Sequence, residues 1–175
     1  TNFLKSLFKK EGRHFNRNLG GGCILDLGCY LTSLSRIIAN VASEGHALDA
    51  NILNKTLFFG SKKVEIDATA EISFNGCFIS STRASFTEDL GQKTTIFGTD
   101  GEIIIENTWN CEHEGFFLNG NFQHIENLDY DNPYSYQIHN FSNWIIEKKT
   151  MPQYPTHTLE DTLHNMRMLD DWKDL

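Results

Sequence analysis

The chain has 175 residues, 39% hydrophobic and 12% aromatic, which is enough to bury a core and argues against disorder. Its formal net charge is −8 and its most basic segment is only Lys9, Lys10 and Arg13, so nucleic acid is not expected as a partner. No apolar run approaches the roughly 20 residues that a membrane helix needs, so a membrane is not an expected partner either.

The first predicted element follows a run of three glycines at positions 20–22. The spacing of Leu27, Leu31, Leu34 and Ile38 predicts an amphipathic helix from about Cys23 to Asn40, with this stripe facing the core. Gly45 follows as a suitable end signal.

The middle of the chain has the alternation of a β-sheet. In 64–74 every second residue is apolar and the intervening residues are polar, which predicts a strand with one buried and one wet face. Asn75-Gly76 is a hairpin turn signal, so 77–86 should return antiparallel. Asp100-Gly101 and Asn119-Gly120 predict two further turns of the same kind.

Helices are predicted again at the end of the chain. One begins near Pro133-Tyr134 and carries Ile138, Phe141, Trp144 and Ile145. The last follows Pro155, with Thr158 and Asp161 as a capping box and an apolar stripe of Leu159, Leu163, Met166 and Leu169. Consecutive strands without intervening helices predict an α+β fold, with one open, mainly antiparallel sheet and helices on one face.

Neither the cysteines nor the histidines form a metal-binding pattern. The four cysteines include no CxxC pair and lie at no zinc-ligand spacing from a histidine. The seven histidines share no ligand spacing with one another. We therefore expect no metal site, and scattered buried thiols of the kind found in a reducing, cytoplasmic protein.

Asp26 and Tyr30 are the candidate catalytic residues. They are four residues apart on the predicted helix, so they share a face. A carboxylate one turn from a phenol can orient it or accept a proton relayed through it. A tyrosine working near neutral pH needs a cation close by, and no neighbouring residue in the sequence supplies one. The alternative is a packed aromatic, a capping or solvated acid and a glycine linker.

The segment LGGGCILDLGCY resembles the signature that opens the second domain of the Gfo/Idh/MocA oxidoreductases. That signature is a glycine run followed by Asp-x-Gly-x-His or Asp-x-Gly-x-Tyr, and Asp26, Gly28 and Tyr30 match it position by position. The tyrosine and the cysteine before it are similar to the branch of glucose–fructose oxidoreductase and dimeric dihydrodiol dehydrogenase. TIFGTDGEIII and TLEDTLHNMRMLDDW resemble a strand–turn–strand segment and the terminal helix of the family.

The resemblance implies a function. Residues 1–175 would form one substrate-binding and oligomerisation domain of an oxidoreductase that moves a hydride between NAD or NADP and a sugar, sugar derivative or diol. Tyr30 would be the acid/base residue, with Asp26 beside it. The missing cation would be a lysine of a Glu-Lys-Pro motif in an N-terminal Rossmann domain. The open sheet face would form a homodimer.

The chain departs from the whole family pattern, because it contains neither G-x-G-x-x-G nor Glu-Lys-Pro. It also does not begin with Met, so we expect a fragment that neither binds a cofactor nor turns over substrate alone. An open alternative is a non-enzymatic binding or dimerisation module in a parent that has lost catalysis. The sequence upstream of Thr1 would distinguish the two.

Weaker candidates complete the predicted site. Gly21, Gly22 and Tyr136 are candidates for contact with the cofactor, and Arg13 and Arg17 for contact with an anionic sugar or a cofactor phosphate. The alternatives are a glycine linker, an exposed helix start and a solvated loop.

Overall fold

A computed structural model describes residues 12–43, 49–76, 78–109, 114–125, 132–149 and 157–174. Its contacts divide the chain into two compact units, Thr1–Leu90 with His157–Leu175, and Gly91–Thr156. The assignment of 1–175 to one domain stays a prediction. Gly45, the expected end signal of the first helix, lies outside the described residues.

Three helices and seven strands make up the regular structure of the described residues. In chain order they are α1 (Cys29–Ala42), β1 (Ala50–Phe59), β2 (Glu65–Phe74), β3 (Phe78–Ser85), β4 (Thr94–Gly98), β5 (Gly101–Ile105), β6 (Gly115–Leu118), β7 (Asn121–His124), α2 (Pro133–Ile146) and α3 (Leu159–Lys173). A π-helical turn, Ile24–Gly28, runs directly into α1.

The first unit contains an antiparallel sheet in the order β1-β2-β3. β2 pairs antiparallel with β3, which confirms the predicted hairpin. Phe74 lies opposite Phe78, so three positions, 75–77, connect the strands instead of the predicted two, and Asn75 and Gly76 have positive φ values of 51° and 70°. The edge strand β1 was not predicted. It pairs with β2 along its whole length, with register shifts at Ile52/Asn54 and Phe58/Phe59.

Helices α1 and α3 of the first unit contact each other and the sheet. The predicted stripe was correct at its start, because Leu27 is fully buried and Leu31 packs against the core. Leu34 and Ile38 are only half-buried, whereas the buried residues of α1 are the small side chains of Thr32, Ser35 and Ala39. Small residues allow a helix to approach its neighbours closely, so the innermost face of α1 is not its most apolar one.

On α3 the predicted start and one residue of the predicted stripe, Leu169, were correct. Thr158 and Asp161 form the predicted capping box. Leu159, Leu163 and Met166 are nevertheless exposed, and the buried face consists of Met168, Leu169 and Trp172. The Trp172 indole N–H donates to the carbonyl of Thr69 at 3.0 Å, so this face lies on the central strand.

The second unit contains an antiparallel sheet in the order β4-β5-β6-β7. The Asn119-Gly120 turn is confirmed between β6 and β7. Gly98 pairs with Gly101, so the β4–β5 turn comprises residues 99 and 100, one position before the predicted Asp100-Gly101. Helix α2 begins at Pro133 as predicted and is capped by the side chain of Asn132.

The predicted α+β class with antiparallel pairing is confirmed, but the described strands form two sheets where the sequence predicted one. Among the described residues, the stretch Arg17–Ala42 has the length and composition of a membrane span. Asp26 and Arg36 interrupt this stretch, so it contains no uninterrupted apolar run of the length that a membrane helix needs. Of its most apolar window, 44% is buried inside the protein, as in a core helix, so the feature carries little weight.

The open face of the first sheet is less exposed to solvent than predicted. This face carries the odd-numbered residues of β2 and of β3, as the register of the two strands shows. However, Glu65, Asp67 and Ser73 are buried, at 6–8% exposure. The Arg83 guanidinium donates two hydrogen bonds to the Asp67 carboxylate, at 3.1 and 2.8 Å, and also pairs with Glu88 at 2.7 Å. This ion pair explains how Asp67 is tolerated at a buried position.

The Asp67–Arg83 pair should make stability depend on pH. Burial raises the pKa of Asp67, but hydrogen bonds from Arg83 and Ser85 and the charge of Arg83 outweigh it, so the net pKa is lowered. Such a group stabilises the fold above the unfolded carboxyl pKa of about 3.9, and the stabilisation is lost as the pH falls through the lower folded pKa.

Replacing Arg83 with methionine is therefore expected to cost about 1 kcal/mol at neutral pH, because Asp67 would stay buried without its cation. In urea unfolding across pH, the difference from wild type should shrink below a pH of about 4. Arg167→Met, which removes an exposed arginine from α3, is the control. A difference that persists unchanged in acid would contradict the role of the pair.

Candidate functional site

The glycine run folds the chain back on itself. The N–H groups of Gly21 and Gly22 donate to the carbonyls of Asn16 and His14, at 2.9 and 2.8 Å. A Cβ on Gly21 would lie 2.7 Å from both Asn16 N and His14 O, and 2.8 Å from Arg13 O. Only a glycine permits this approach, so residues 13–16 lie directly against the start of the π-helical turn.

Gly22 also requires the absence of a side chain. Its φ is +121°, and a Cβ there would lie 2.0 Å from the Glu65 Oε2 atom. The contacts of both glycines within the chain thus account for their identity without a ligand. Their contact with a cofactor stays a prediction.

Asp26 lies in the π-helical turn Ile24–Gly28, next to Arg13 and His14 of the folded-back segment. The Arg13 Nη2 atom is 3.0 Å from the Asp26 Oδ1 atom, and the His14 Nε2 atom is 3.7 Å from the same oxygen. The Asp26 side chain is only 16% exposed, whereas that of Arg13 is 62% exposed. π-helical turns inside helices occur frequently at functional sites.

Tyr30 is the second residue of α1 and lies four residues after Asp26. It is 50% exposed, so its ring is not packed into the core. Gly28, between the two, packs on Trp172: a Cβ at Gly28 would lie 2.9 Å from the Trp172 ring. Gly28 of the matched motif thus packs the turn against α3, while Tyr30 faces outward.

The arrangement can perform acid/base chemistry. An accessible phenol one turn after an anchored carboxylate can exchange a proton with a bound hydroxyl or carbonyl group. No cation lies near this pair in the sequence, whereas the fold brings Arg13 onto Asp26. The only signal for that contact was an arginine and an acid of opposite charge on either side of a flexible glycine run.

The cysteines beside the site are not suited to nucleophilic chemistry. Burial and the neighbouring carboxylates, led by that of Glu65, raise the pKa of the Cys23 thiol far above its ordinary value. Burial also raises the pKa of the Cys29 thiol. A reactive cysteine needs the opposite shift. Within the described ranges no group of three or more His, Cys, Asp or Glu residues could hold a metal ion.

The remaining predicted residues are Arg17 and Tyr136. Arg17 is an exposed residue of the 3₁₀ turn Arg17–Leu19. Tyr136 lies on α2 in the second unit and is half-buried. The roles of Arg17 in substrate contact and of Tyr136 in cofactor contact stay predictions.

Comparison with solved structures shows the fold in known proteins. The aldose-aldose oxidoreductase from Caulobacter crescentus, in complex with glycerol, has a TM-score of 0.70 and 19% identity, over 93% of this chain and 48% of that chain. A proposed oxidoreductase from Erwinia carotovora atroseptica SCRI1043 has a TM-score of 0.59 and 14% identity, over 91% and 50%. The chain thus spans about half the length of both.

No curated protein matches the chain significantly. A family model does: the GFO/IDH/MocA C-terminal domain matches residues 2–104, which is more than half of the sequence and includes the glycine run, Asp26, Gly28 and Tyr30. The chain therefore belongs to the Gfo/Idh/MocA oxidoreductase family and carries its C-terminal domain.

Proposed function

We propose that this chain is the substrate-binding and catalytic half of an NAD- or NADP-dependent oxidoreductase that acts on a sugar, sugar derivative or diol. The observation that carries the proposal is the exposed phenol of Tyr30, one turn after a carboxylate that Arg13 holds at 3.0 Å. One structural relative is an aldose-aldose oxidoreductase with glycerol bound, which supports polyhydroxylated substrates.

In this proposal Tyr30 is the acid/base residue and Asp26 orients it. When a substrate hydroxyl is oxidised, its proton must leave as the hydride leaves carbon, and in this proposal the phenolate form of Tyr30 takes it. A phenol has an unperturbed pKa of about 10, so it needs stabilisation of its anionic form to act near neutral pH.

The nucleotide is assigned to a separate domain rather than to this chain. Neither Gly21 nor Gly22 leaves room for a phosphate: the space beside Gly21 is filled by the backbone of residues 13–16, and that beside Gly22 by Glu65. Bound NAD or NADP would accept or supply the hydride. What this chain contributes is the pocket wall, the proton at Tyr30 and its supporting charges.

The test is an assay of the full-length protein that contains this chain. Purified protein is incubated with NAD⁺ or NADP⁺ and a panel of aldoses, sugar alcohols and vicinal diols, and nicotinamide reduction is followed by absorbance. Turnover of at least one class above a protein-free control is expected. No turnover with any cofactor and substrate, from a folded protein, would favour the non-enzymatic binding or dimerisation module.

We also propose that the open face of the first sheet joins two copies of the chain. Large apolar side chains are exposed there, Phe58 at 58% on β1 and Ile79 at 57% on β3. A shallow depression of about 410 Å³ between them is lined by polar residues that include Asn54, Glu71 and Arg83. Pairing of Asp67 with Arg83 removes one unpaired acid from a face that would otherwise repel its copy.

Sedimentation at micromolar concentration tests the homodimer. Wild-type protein should sediment as a dimer, and Ile79→Lys should shift it to a monomer, because it replaces an exposed apolar side chain of the contact with a cation. Leu163→Lys, on the exposed side of α3, is the control and should remain dimeric. A monomeric wild-type protein, both full-length and as this chain, would leave the sheet face without this role.

A further inference from the structure

We propose that Arg13 is a positioning residue: it acts through Asp26 rather than on the substrate, and the glycine run exists to deliver it there. This inference rests on the proposed function for its catalytic consequence. The contact itself is independent of it.

A reversal of the chain at the glycine run brings Arg13 to Asp26. Arg13 and Asp26 are thirteen residues apart, and the segment between them reverses direction at Gly20–Gly22. Two backbone hydrogen bonds from Gly21 and Gly22 close this reversal. A Cβ at position 21 would meet three backbone atoms within 2.8 Å, so a larger residue would push the arginine segment away from Asp26.

The second step is the anchoring of the arginine segment. The 3₁₀ turn Arg13–Phe15 packs on Phe86, just after β3. The rings of Phe15 and Phe86 are 5.4 Å apart, and those of His14 and Phe86 are 6.2 Å apart. Phe86 is 5% exposed and therefore belongs to the packed core. The turn Arg13–Phe15 thus has two contacts that hold it in place, one with Phe86 and one with Asp26.

The third step is the balance of charge at Tyr30. A carboxylate one turn from a phenol opposes formation of the phenolate, because like charges repel. Arg13 offsets that charge with a permanent cation, whereas His14 does so only when its ring is protonated. An Asp26 held by Arg13 can therefore orient Tyr30 without suppressing its ionisation.

The contact is tested without catalysis by amide hydrogen exchange. In Arg13→Met, amides of residues 22–30 should exchange about three- to tenfold faster than in wild type, since the turn loses a tether. The exchange rates of Arg13→Lys should lie between those of wild type and Arg13→Met. Arg167→Met, which changes an exposed residue of α3, should exchange as wild type does. Unchanged exchange in Arg13→Met would overturn the proposal.

Gly21→Ala tests the delivery step in the same measurement. It should raise exchange in residues 22–30 as Arg13→Met does, because its Cβ collides with the backbone of the arginine segment. Gly98→Ala is the matched control: its Cβ would lie 3.7 Å from the Gly101 carbonyl oxygen, an ordinary contact, and it should leave this segment unchanged. Equal behaviour of the two variants would overturn the role given to Gly21.

The catalytic consequence is tested by a double-mutant cycle in the active full-length protein. Arg13→Met should lower kcat about tenfold and leave KM nearly unchanged, Arg13→Lys should recover part of the loss, and Arg13→Met should add little in an Asp26→Asn background. A raised KM with additive effects would make Arg13 a substrate-binding residue and overturn the inference. If wild-type protein turns over nothing, the proposed function fails, while the exchange experiment still decides the contact.

Discussion

Tyr30→Phe is expected to lower turnover of the full-length enzyme by about 10²–10⁴-fold, the usual contribution of an acid/base group. Phenylalanine keeps the ring, so substrate affinity and folding should change little at a position that is 50% exposed. Asp26→Asn should cost less, because it removes an orienting charge and leaves the proton-transferring oxygen in place. Steady-state kinetics with the best substrate of the panel measure both.

Tyr134→Phe is the matched control for this experiment. Tyr134 is 68% exposed on α2, and its substitution makes the same chemical change, the loss of a tyrosine hydroxyl, in the second unit. It should retain wild-type turnover. Near-normal turnover of Tyr30→Phe, beside a normal control, would return Tyr30 to a non-catalytic role.

Trp172→Ala is expected to destabilise the first unit by about 3–5 kcal/mol. The side chain is fully buried, it packs on Gly28 of the matched motif, and its indole donates to the carbonyl of Thr69. Its removal leaves a large cavity beneath the turn that carries Asp26. Urea unfolding followed by circular dichroism measures the loss.

A milder variant keeps this prediction testable if Trp172→Ala fails to fold. Trp172→Phe retains an aromatic ring but leaves the Thr69 carbonyl without its donor, and should cost about 1–2 kcal/mol. Leu163→Ala, a residue of the stripe predicted from sequence, should change stability by less than about 0.5 kcal/mol because it is exposed. A larger cost for Leu163→Ala than for Trp172→Phe would contradict the packing of α3.

Local signals predicted the elements that depend on local physics. Asn75-Gly76 and Asn119-Gly120 both have positive φ values and lie in hairpin connections, and the Thr158–Asp161 capping box starts α3 as expected. The alternation in 64–74 gave β2 within one residue. Each of these signals is contained in a few adjacent residues, so tertiary packing had little opportunity to override it.

Strand β1 was missed for a physical reason. Its two register shifts break the regular alternation, so apolar residues fall on both faces and Leu53, Phe58 and Phe59 are exposed. The buried faces of α1 and α3 were only partly predicted, for a related reason. Close packing selected small residues such as Ala39 and Thr32 on α1, and Trp172 on α3 reached across to β2, neither of which hydrophobic periodicity can predict.

The candidate site divides in the same way. Asp26, Gly28 and Tyr30 are contained in one motif, and the sequence found them together. The Arg13–Asp26 pair depends on a chain reversal at the glycine run, and the packing of Gly28 on Trp172 depends on a helix 144 residues further along. Contacts of this kind depend on the tertiary fold, and the spacing of residues in the sequence does not predict them.

Hydride transfer is the central claim, and isotope labelling tests it most directly. Aldoses and diols that carry deuterium on the carbinol carbon are incubated with the full-length protein and NAD⁺ or NADP⁺, and the nicotinamide is analysed by mass spectrometry. The account predicts that one deuterium appears in the reduced cofactor with wild-type protein, and that Tyr30→Phe forms this product about 10²–10⁴-fold more slowly. Unlabelled cofactor with every substrate, from folded wild-type protein, would contradict it.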